Sequence, residues 1–231
     1  MGTFQEHKSI SVVIPTLDAA GELLGSLVAV AGSELVCEVI VSDGGSRDGT
    51  VAAAAAAGAR IVTAQRGRGF QLIAGAAAAS GRWLLFLHAD CRLEPGWEAA
   101  AINFIGNPGA AGRAGYFGLI LDDPDPAARR LERIVAWRCR VLGLPYGDQG
   151  LLISRKLYQE IGGFAPIPLM EDVDLVCRLR RHRLAPIGAR VIASARRYRR
   201  DGYWRRPLRN LLCLSLYFAG VPPRHIARLY G

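Results

Sequence analysis

An open α/β sheet, parallel for the most part and flanked by helices, is the fold class this chain predicts. Two observations carry that prediction. Short apolar runs end on acidic, glycine-rich turns, as in Val39-Ile-Val-Ser-Asp-Gly-Gly-Ser-Arg-Asp-Gly-Thr50 and Phe86-Leu-His-Ala-Asp90. Between such runs lie stretches of helical length built around Ala52–Ala57 and Ala76–Ala79. Alanine is the strongest helix former, and its small side chain lets a helix sit close on a sheet. Strands alternating with helices of about ten residues read as βαβ units with right-handed crossovers.

Ser11 to Ile14, closed by Pro15, reads as a buried parallel strand. Gly21 to Ala31 reads as a helix, and Glu38 to Val41 as the second strand. Thr50 is a candidate N-cap for a helix that runs through Ala57 and is ended by Gly58. Arg60 to Thr63 is a short third strand, Phe70 to Ala79 a helix, and Trp83 to Leu87 a fourth strand. After a helix to about Phe104 the texture becomes α+β. Gly115 to Leu121 and Leu151 to Ser154 read as strands, with Pro126 to Leu142 and Glu171 to Arg181 as helices. A main domain over residues 10–200 and a C-terminal helical basic extension over residues 201–231 are expected.

The 231 residues suffice to bury a core without disulfides. Five scattered cysteines with no C-x-x-C pair argue for a reducing cytoplasm and against a zinc site. The polar start, Met1 to Ser9, lacks the apolar core of a signal peptide. No run approaches the roughly 20 apolar residues of a spanning helix. The net charge is +9, and from Arg178 onward fourteen arginines face one acid, Asp201. Such a tail suits anionic lipid, nucleic acid or a pyrophosphate. A dedicated nucleic-acid binder would show interleaved aromatics on an exposed sheet or a recognised motif, and neither is present.

In open α/β sheets, ligands bind at the carboxyl ends of the strands. Three strand ends here carry polar groups suited to that: Ile14-Pro-Thr-Leu-Asp18, the Asp43-Gly-Gly-Ser-Arg-Asp-Gly-Thr50 turn, and His88-Ala-Asp90. Gly147-Asp-Gln-Gly150 and Met170-Glu-Asp172 follow in that order. The set resembles the family-2 glycosyltransferases, which have the GT-A nucleotide-sugar-binding fold. It is most similar to a small bacterial subgroup with H-A-D in place of D-x-D. The resemblance runs from about Ile10 to Arg200.

That resemblance implies an inverting, metal-dependent transfer of a sugar from a nucleoside-diphosphate sugar, a UDP-sugar by default, to a hydroxyl or carboxyl acceptor that is not identified, a lipid-like one being among the candidates. Pro15, Thr16, Asp18, Asp43, Gly44, Arg68, Gln71, His88 and Ala89 would hold the nucleotide sugar. Asp90, with His88, would ligate Mn²⁺ or Mg²⁺; an imidazole at the first acidic position favours Mn²⁺. Asp172 would be the general base, with Glu171 the alternative. Asp148, Gln149 and Gly150 would lie on the acceptor side, and Arg199 or Arg200 would close over the diphosphate. Each residue also has a plainer role open to it: helix capping for Asp18, an acidic helix start for Glu171 and Asp172, a solvated face for the arginines. A nucleotidyltransferase would carry a glycine-rich loop after the first strand, which is missing after Val13. A degenerate binder would be expected to have lost acids from the strand ends.

The apolar run Leu211 to Val221, preceded by Tyr203-Trp204-Arg205-Arg206, reads as a helix with two competing roles. One is an in-plane anchor on an anionic membrane surface. The other is packing on the core or in a homodimer. The expected location is therefore cytoplasmic, with a peripheral place at the inner face of the membrane as the variant reading.

Overall fold

The structure is a computed structural model that describes residues 9–230; the start read above as leaderless, Met1 to Lys8, lies outside them. The first half alternates as expected: β1 (Ile10–Thr16), α1 (Ala20–Val30), β2 (Val36–Asp43), α2 (Thr50–Ala56), β3 (Arg60–Thr63), α3 (Arg68–Ala78) and β4 (Trp83–Phe86). Then come β5 (Cys91–Leu93), α4 (Trp97–Gly106), β6 (Ala114–Leu121), α5 (Pro126–Leu142), β7 (Leu151–Ser154), α6 (Arg155–Glu160) and α7 (Glu171–Leu179). The chain continues with β8 (Leu184–Ala193), α8 (Arg196–Asp201), α9 (Arg205–Phe218) and α10 (Pro223–Tyr230).

All strands join one sheet in the order β3-β2-β1-β4-β7-β6-β8-β5. The β3-β2-β1-β4 half is parallel, β7 runs antiparallel between β4 and β6, and β6 is parallel to β8. Every residue of β1 is buried, as befits a strand covered on both faces. The chain winds outward from β1 to β3 and then returns to place β4 on the other flank of β1. A topological switch point therefore lies between β1 and β4, where α/β sheets bind ligands.

Register makes that switch point a crevice. The β1/β4 ladder ends at Val13 and Phe86, whereas β1 stays paired with β2 as far as Thr16 and Asp43. Leu87 N–H still donates to the Val13 carbonyl at 3.1 Å. Pro15, two residues on, faces the same flank where the ladder has stopped, so its missing N–H forfeits no strand bond. On the sheet face, α3 sits so close to β1 that a Cβ on Gly75 would fall 2.4 Å from Val13 Cγ1.

Several expectations need correction. Thr50 does not cap α2; Gly49 holds the cap position. The Thr50 hydroxyl instead donates to the Asp48 carboxylate and accepts from Ala19 N–H at 2.8 Å, tying the β2–α2 turn to the start of α1. Leu184–Ala193 had been read only as part of a basic tail, yet it is a strand whose exposed positions Pro186, Gly188 and Arg190 alternate with buried ones. The boundary expected at 200/201 falls inside α8. Beyond it, α9 and α10 fold back onto α7 through Leu169, Met170, Val173, Cys213 and Ile226. No helix among the described residues is long and apolar enough to cross a membrane.

Candidate active site

A cleft of about 1000 Å³ opens at the β1/β4 switch point. Pro15, Thr16, Asp18, Gln71, His88, Ala89 and Asp90 lie on its walls, together with a set of arginines. It joins a smaller pocket of about 110 Å³ that also reaches Arg68, His88 and Asp90, and adds Tyr146, Asp148 and Asp172. Groups from both halves of the sequence thus meet in one place.

The β2–α2 turn is organised around Asp43. Its carboxylate accepts from Thr16 Oγ1 (3.0 Å), Gly45 N (2.9 Å), Ser46 N (2.8 Å) and Ser46 Oγ (2.5 Å). Burial opposes its charge, but the bonds from Ser46, Gly45 and Thr16 hold the carboxyl below its usual range. Asp43 is buried behind the cleft wall, not on it. Gly44 also lies off the wall; a Cβ there would meet the Gln71 amide at 2.9 Å. Gln71 Nε2 donates to the carbonyls of Thr16 and Ser42, lashing the ends of β1 and β2 together. Asp18 does line the cleft. Its backbone takes a positive φ of 49°, and its Oδ1 accepts from Arg47 N at 2.7 Å. It does not cap α1, whose cap residue is Ala19.

The loop after β4 is pinned by Ser26 Oγ, which donates to the Ala89 carbonyl at 2.7 Å. Burial, then the nearby Arg68 charge, push the His88 pKa down to about 4, so its imidazole is neutral near pH 7. Ligand atoms of His88, Asp90 and Cys91 lie within 4.8 Å of one another, the one such group found among the described residues. Sequence reading passed over Cys91. Burial and the Asp90 and Asp148 charges push its thiol well above the usual range, and the thiol donates weakly to Asp90 Oδ1 at 3.6 Å. Of the three, the His88 imidazole and the Asp90 carboxylate are the groups that line the cleft and pocket.

Across the pocket, Met170 takes a left-handed conformation (φ 68°) and so turns the start of α7 into the site. A non-glycine residue there is uncommon and marks a constrained position. Asp172 Oδ2 accepts from Gly147 N at 2.8 Å, and Oδ1 from Val173 N at 2.8 Å. Gly147 is confined as well, since a Cβ would stand 2.5 Å from His88 Nε2 and 3.3 Å from Asp172 Oδ2. Glu171 has a different setting. It is wholly buried, lines neither cleft nor pocket, and its Oε1 lies 3.0 Å from Arg68 Nε. Burial pushes its pKa up to about 7, against the pull of Arg68. Glu171 is the counter-ion that positions Arg68, which argues against it as the base.

Of the three acceptor-side residues expected, only Asp148 reaches the pocket. Gln149 is buried, accepting from Cys139 Sγ (3.0 Å) and Arg138 Nη2 (3.2 Å) and donating to the Phe117 carbonyl (3.1 Å). Gly150 turns the chain at φ 62° against the Phe117 ring. Both hold Asp148 in place. Burial pushes the Asp148 pKa up to about 6, with Arg138 pulling down and Asp172 and Asp90 pushing up. Its unfolded value is near 3.8, so the folded chain binds more protons between these pH values and loses stability as pH rises through them. Asp148→Asn, without added metal, is expected to melt higher than the parent near neutral pH and to converge with it at acid pH. Thermal melts across that range check this; a gap independent of pH would contradict it.

The arginine expectation needs the largest correction. Arg199 points away from the cleft, toward Asp123 at 3.5 Å and Asp122 at 3.9 Å. Arg200 lies at the cleft rim but is paired with Asp201 at 2.7 Å. From this C-terminal part of the chain, Arg197 and Arg206 line both cleft and pocket, as Arg68 does from α3. Arg206 is buried, bonded to Asp201 at 2.9 Å and to Tyr230 Oη at 3.1 Å. The R-R-Y-R-R run signalled the region; the facing of the short α8 helix selects Arg197, and the packing of α9 brings in Arg206 from outside the run.

An open, curled α/β sheet with acidic strand ends gathered at its switch point is a GT-A fold. Residues 11–168 match the profile of glycosyl transferase family 2, and the chain belongs to that family. The match stops before Asp172, α8 and α9. No curated protein sequence matches the chain significantly. Among solved structures, it is similar to glucosyl-3-phosphoglycerate synthase from Mycobacterium tuberculosis in complex with Mn²⁺, UDP and glucosyl-3-phosphoglycerate. That likeness has 25% identity over 78% of this chain and 69% of the other, with a TM-score of 0.56. The same enzyme with Mn²⁺, UDP-glucose and glycerol 3-phosphate matches at 25% identity over 79% and 71%, with a TM-score of 0.57. Its complex with Mg²⁺ and UDP, at 24% identity over 78% and 68% and a TM-score of 0.55, supports the fold alone.

Proposed function

We propose that the chain transfers a sugar from a nucleoside-diphosphate sugar, UDP-linked by default, to an acceptor hydroxyl with inversion at the anomeric carbon. One observation carries this reading: the His88/Asp90 pair, the Arg68, Arg197 and Arg206 guanidiniums and the Asp172 carboxylate line one connected space. Thr16 and Asp18, on a turn braced by Asp43 and Gln71, take the nucleoside, where short side chains on fixed strand ends cost little entropy to order. The arginines take the diphosphate; a guanidinium fork matches phosphate oxygens in pairs.

His88 and Asp90 fit a divalent ion. A single carboxylate with a neutral imidazole, open toward the arginine-lined cleft, suits Mn²⁺ in particular and Mg²⁺ as well. An ion held there by His88 and Asp90 would supply positive charge to offset the negative charge building on the departing diphosphate. Asp172 takes the proton of the acceptor hydroxyl. That oxygen forms its bond to the anomeric carbon as the bond from that carbon to the diphosphate oxygen breaks, and the diphosphate leaves with the electron pair. Asp148, across the same pocket, orients the acceptor. With Asp90 given to the ion and Asp148 to the acceptor, Asp172 alone serves as base, and this division of roles favours direct displacement.

A panel of nucleotide sugars incubated with the protein and Mn²⁺ tests this without knowledge of the acceptor. Slow hydrolysis of one donor class, lost on chelation, is the expected result. No hydrolysis of any donor together with no nucleotide binding would overturn it.

A further inference from the structure

Helix α9 is turned inside out. Its polar residues Arg206, Arg209 and Asn210 line the cleft and pocket. Trp204, just before its first turn, and Leu208, Leu211, Leu212 and Phe218 stand in solvent, each more than half exposed. Their spacing, with exposed Ser215 between, is that of one face of an α-helix. Leu229 on α10 is similarly exposed. Cys213 and Ile226, fully buried, anchor the pair to α7 and fix which face looks outward. A continuous apolar stripe of this kind marks a surface that something covers.

Charge says what covers it. Residues 202–230 carry Arg205, Arg206, Arg209, Arg224 and Arg228 and no acid. Arg205 on α9 and Arg224 and Arg228 on α10 are exposed. A second copy of the chain would bring the same basic rim against this one, within a molecule of net charge +9. An anionic lipid surface complements both the leucines and the arginines. A helix with an apolar face and basic flanks lies in the headgroup plane with its apolar side inserted. At fourteen residues α9 is about 21 Å long, ample for that plane.

We propose that the outer face of α9 docks this protein onto the surface of an anionic bilayer. Under the transferase reading above, docking would hold the pocket lined by the inner face of the same helix at the headgroup layer, where an amphiphilic acceptor presents its hydroxyl. The docking itself is tested without that reading.

The full chain is mixed with vesicles of phosphatidylcholine, with or without phosphatidylglycerol, and sedimented at low and high salt. The bound fraction is expected to rise at least about tenfold with the anionic lipid at low salt, since several basic residues add their attraction to the apolar contact. High salt should weaken binding as screening shortens. Leu208→Glu/Leu212→Glu should abolish binding with the circular dichroism unchanged, because both side chains already stand in solvent. In parallel, lipid-borne quenchers should quench tryptophan emission in the parent and not in Trp204→Phe; this reads insertion even if the double variant folds poorly. The proposal is overturned if the parent stays in the supernatant with anionic vesicles at low salt, or if the correctly folded double variant binds as the parent does. A dimer that the double variant dissolves, without vesicle binding by the parent, would also overturn it and assign the stripe to self-association.

Discussion

Asp172→Asn is expected to slow donor turnover by about 10²–10⁴-fold, the usual contribution of a general base, while nucleotide affinity stays within a few-fold. The amide is nearly isosteric, and its oxygen can still accept from Gly147 N–H, so the Gly147 turn should keep its place at the loss of the bond from Val173 N–H. What it cannot do is carry a proton away from the acceptor oxygen. Donor hydrolysis measured under single-turnover conditions, with nucleotide affinity measured separately, distinguishes the two. Equal loss of affinity would move Asp172 into the nucleotide pocket. Glu171→Gln should behave differently, weakening the anchoring of Arg68 and with it donor binding, because Glu171 is shut away from the cleft.

The second large effect belongs to Asp90. Asp90→Ala should remove metal-supported nucleotide binding and lower turnover by on the order of 10²–10³-fold or more, matching the several kcal/mol that charge stabilisation at a leaving group supplies. The fold should survive, since Asp90 is only partly buried and, among the described residues, its carboxylate is hydrogen-bonded only by a weak thiol donor. Turnover with and without Mn²⁺, alongside a thermal melt, reads both. A variant that keeps near-normal, metal-stimulated turnover would show that His88 and Asp90 are not the ligands.

The first half of the chain was legible because its signals are local. A β-branched run, an acidic glycine turn and an alanine helix each declare themselves within ten residues or so, and β3 falls where the sequence put it, as α5 and β7 do in the second half. The β8 strand was hidden because arginine density drew the eye away from its alternation. The site divides in the same way. His88, Asp90 and Asp172 could be picked out as residue types at strand and helix ends. That Gln149 looks inward, that Glu171 serves Arg68, and that Arg197 rather than Arg199 reaches the cleft depend on which face of a short helix or turn is presented. Periodicity does not fix that over six residues. The tail was legible as apolar and basic, but its inversion, with arginines inward and leucines outward, exists only once α9 is packed on α7.

Titration calorimetry of UDP into the parent protein, with Mn²⁺ and then with a chelator, is the most direct test of a nucleotide-diphosphate cleft completed by a divalent ion. The account predicts saturable one-to-one binding with Mn²⁺ that weakens markedly on chelation. Binding that is indifferent to the metal, or no binding under either condition, would contradict it.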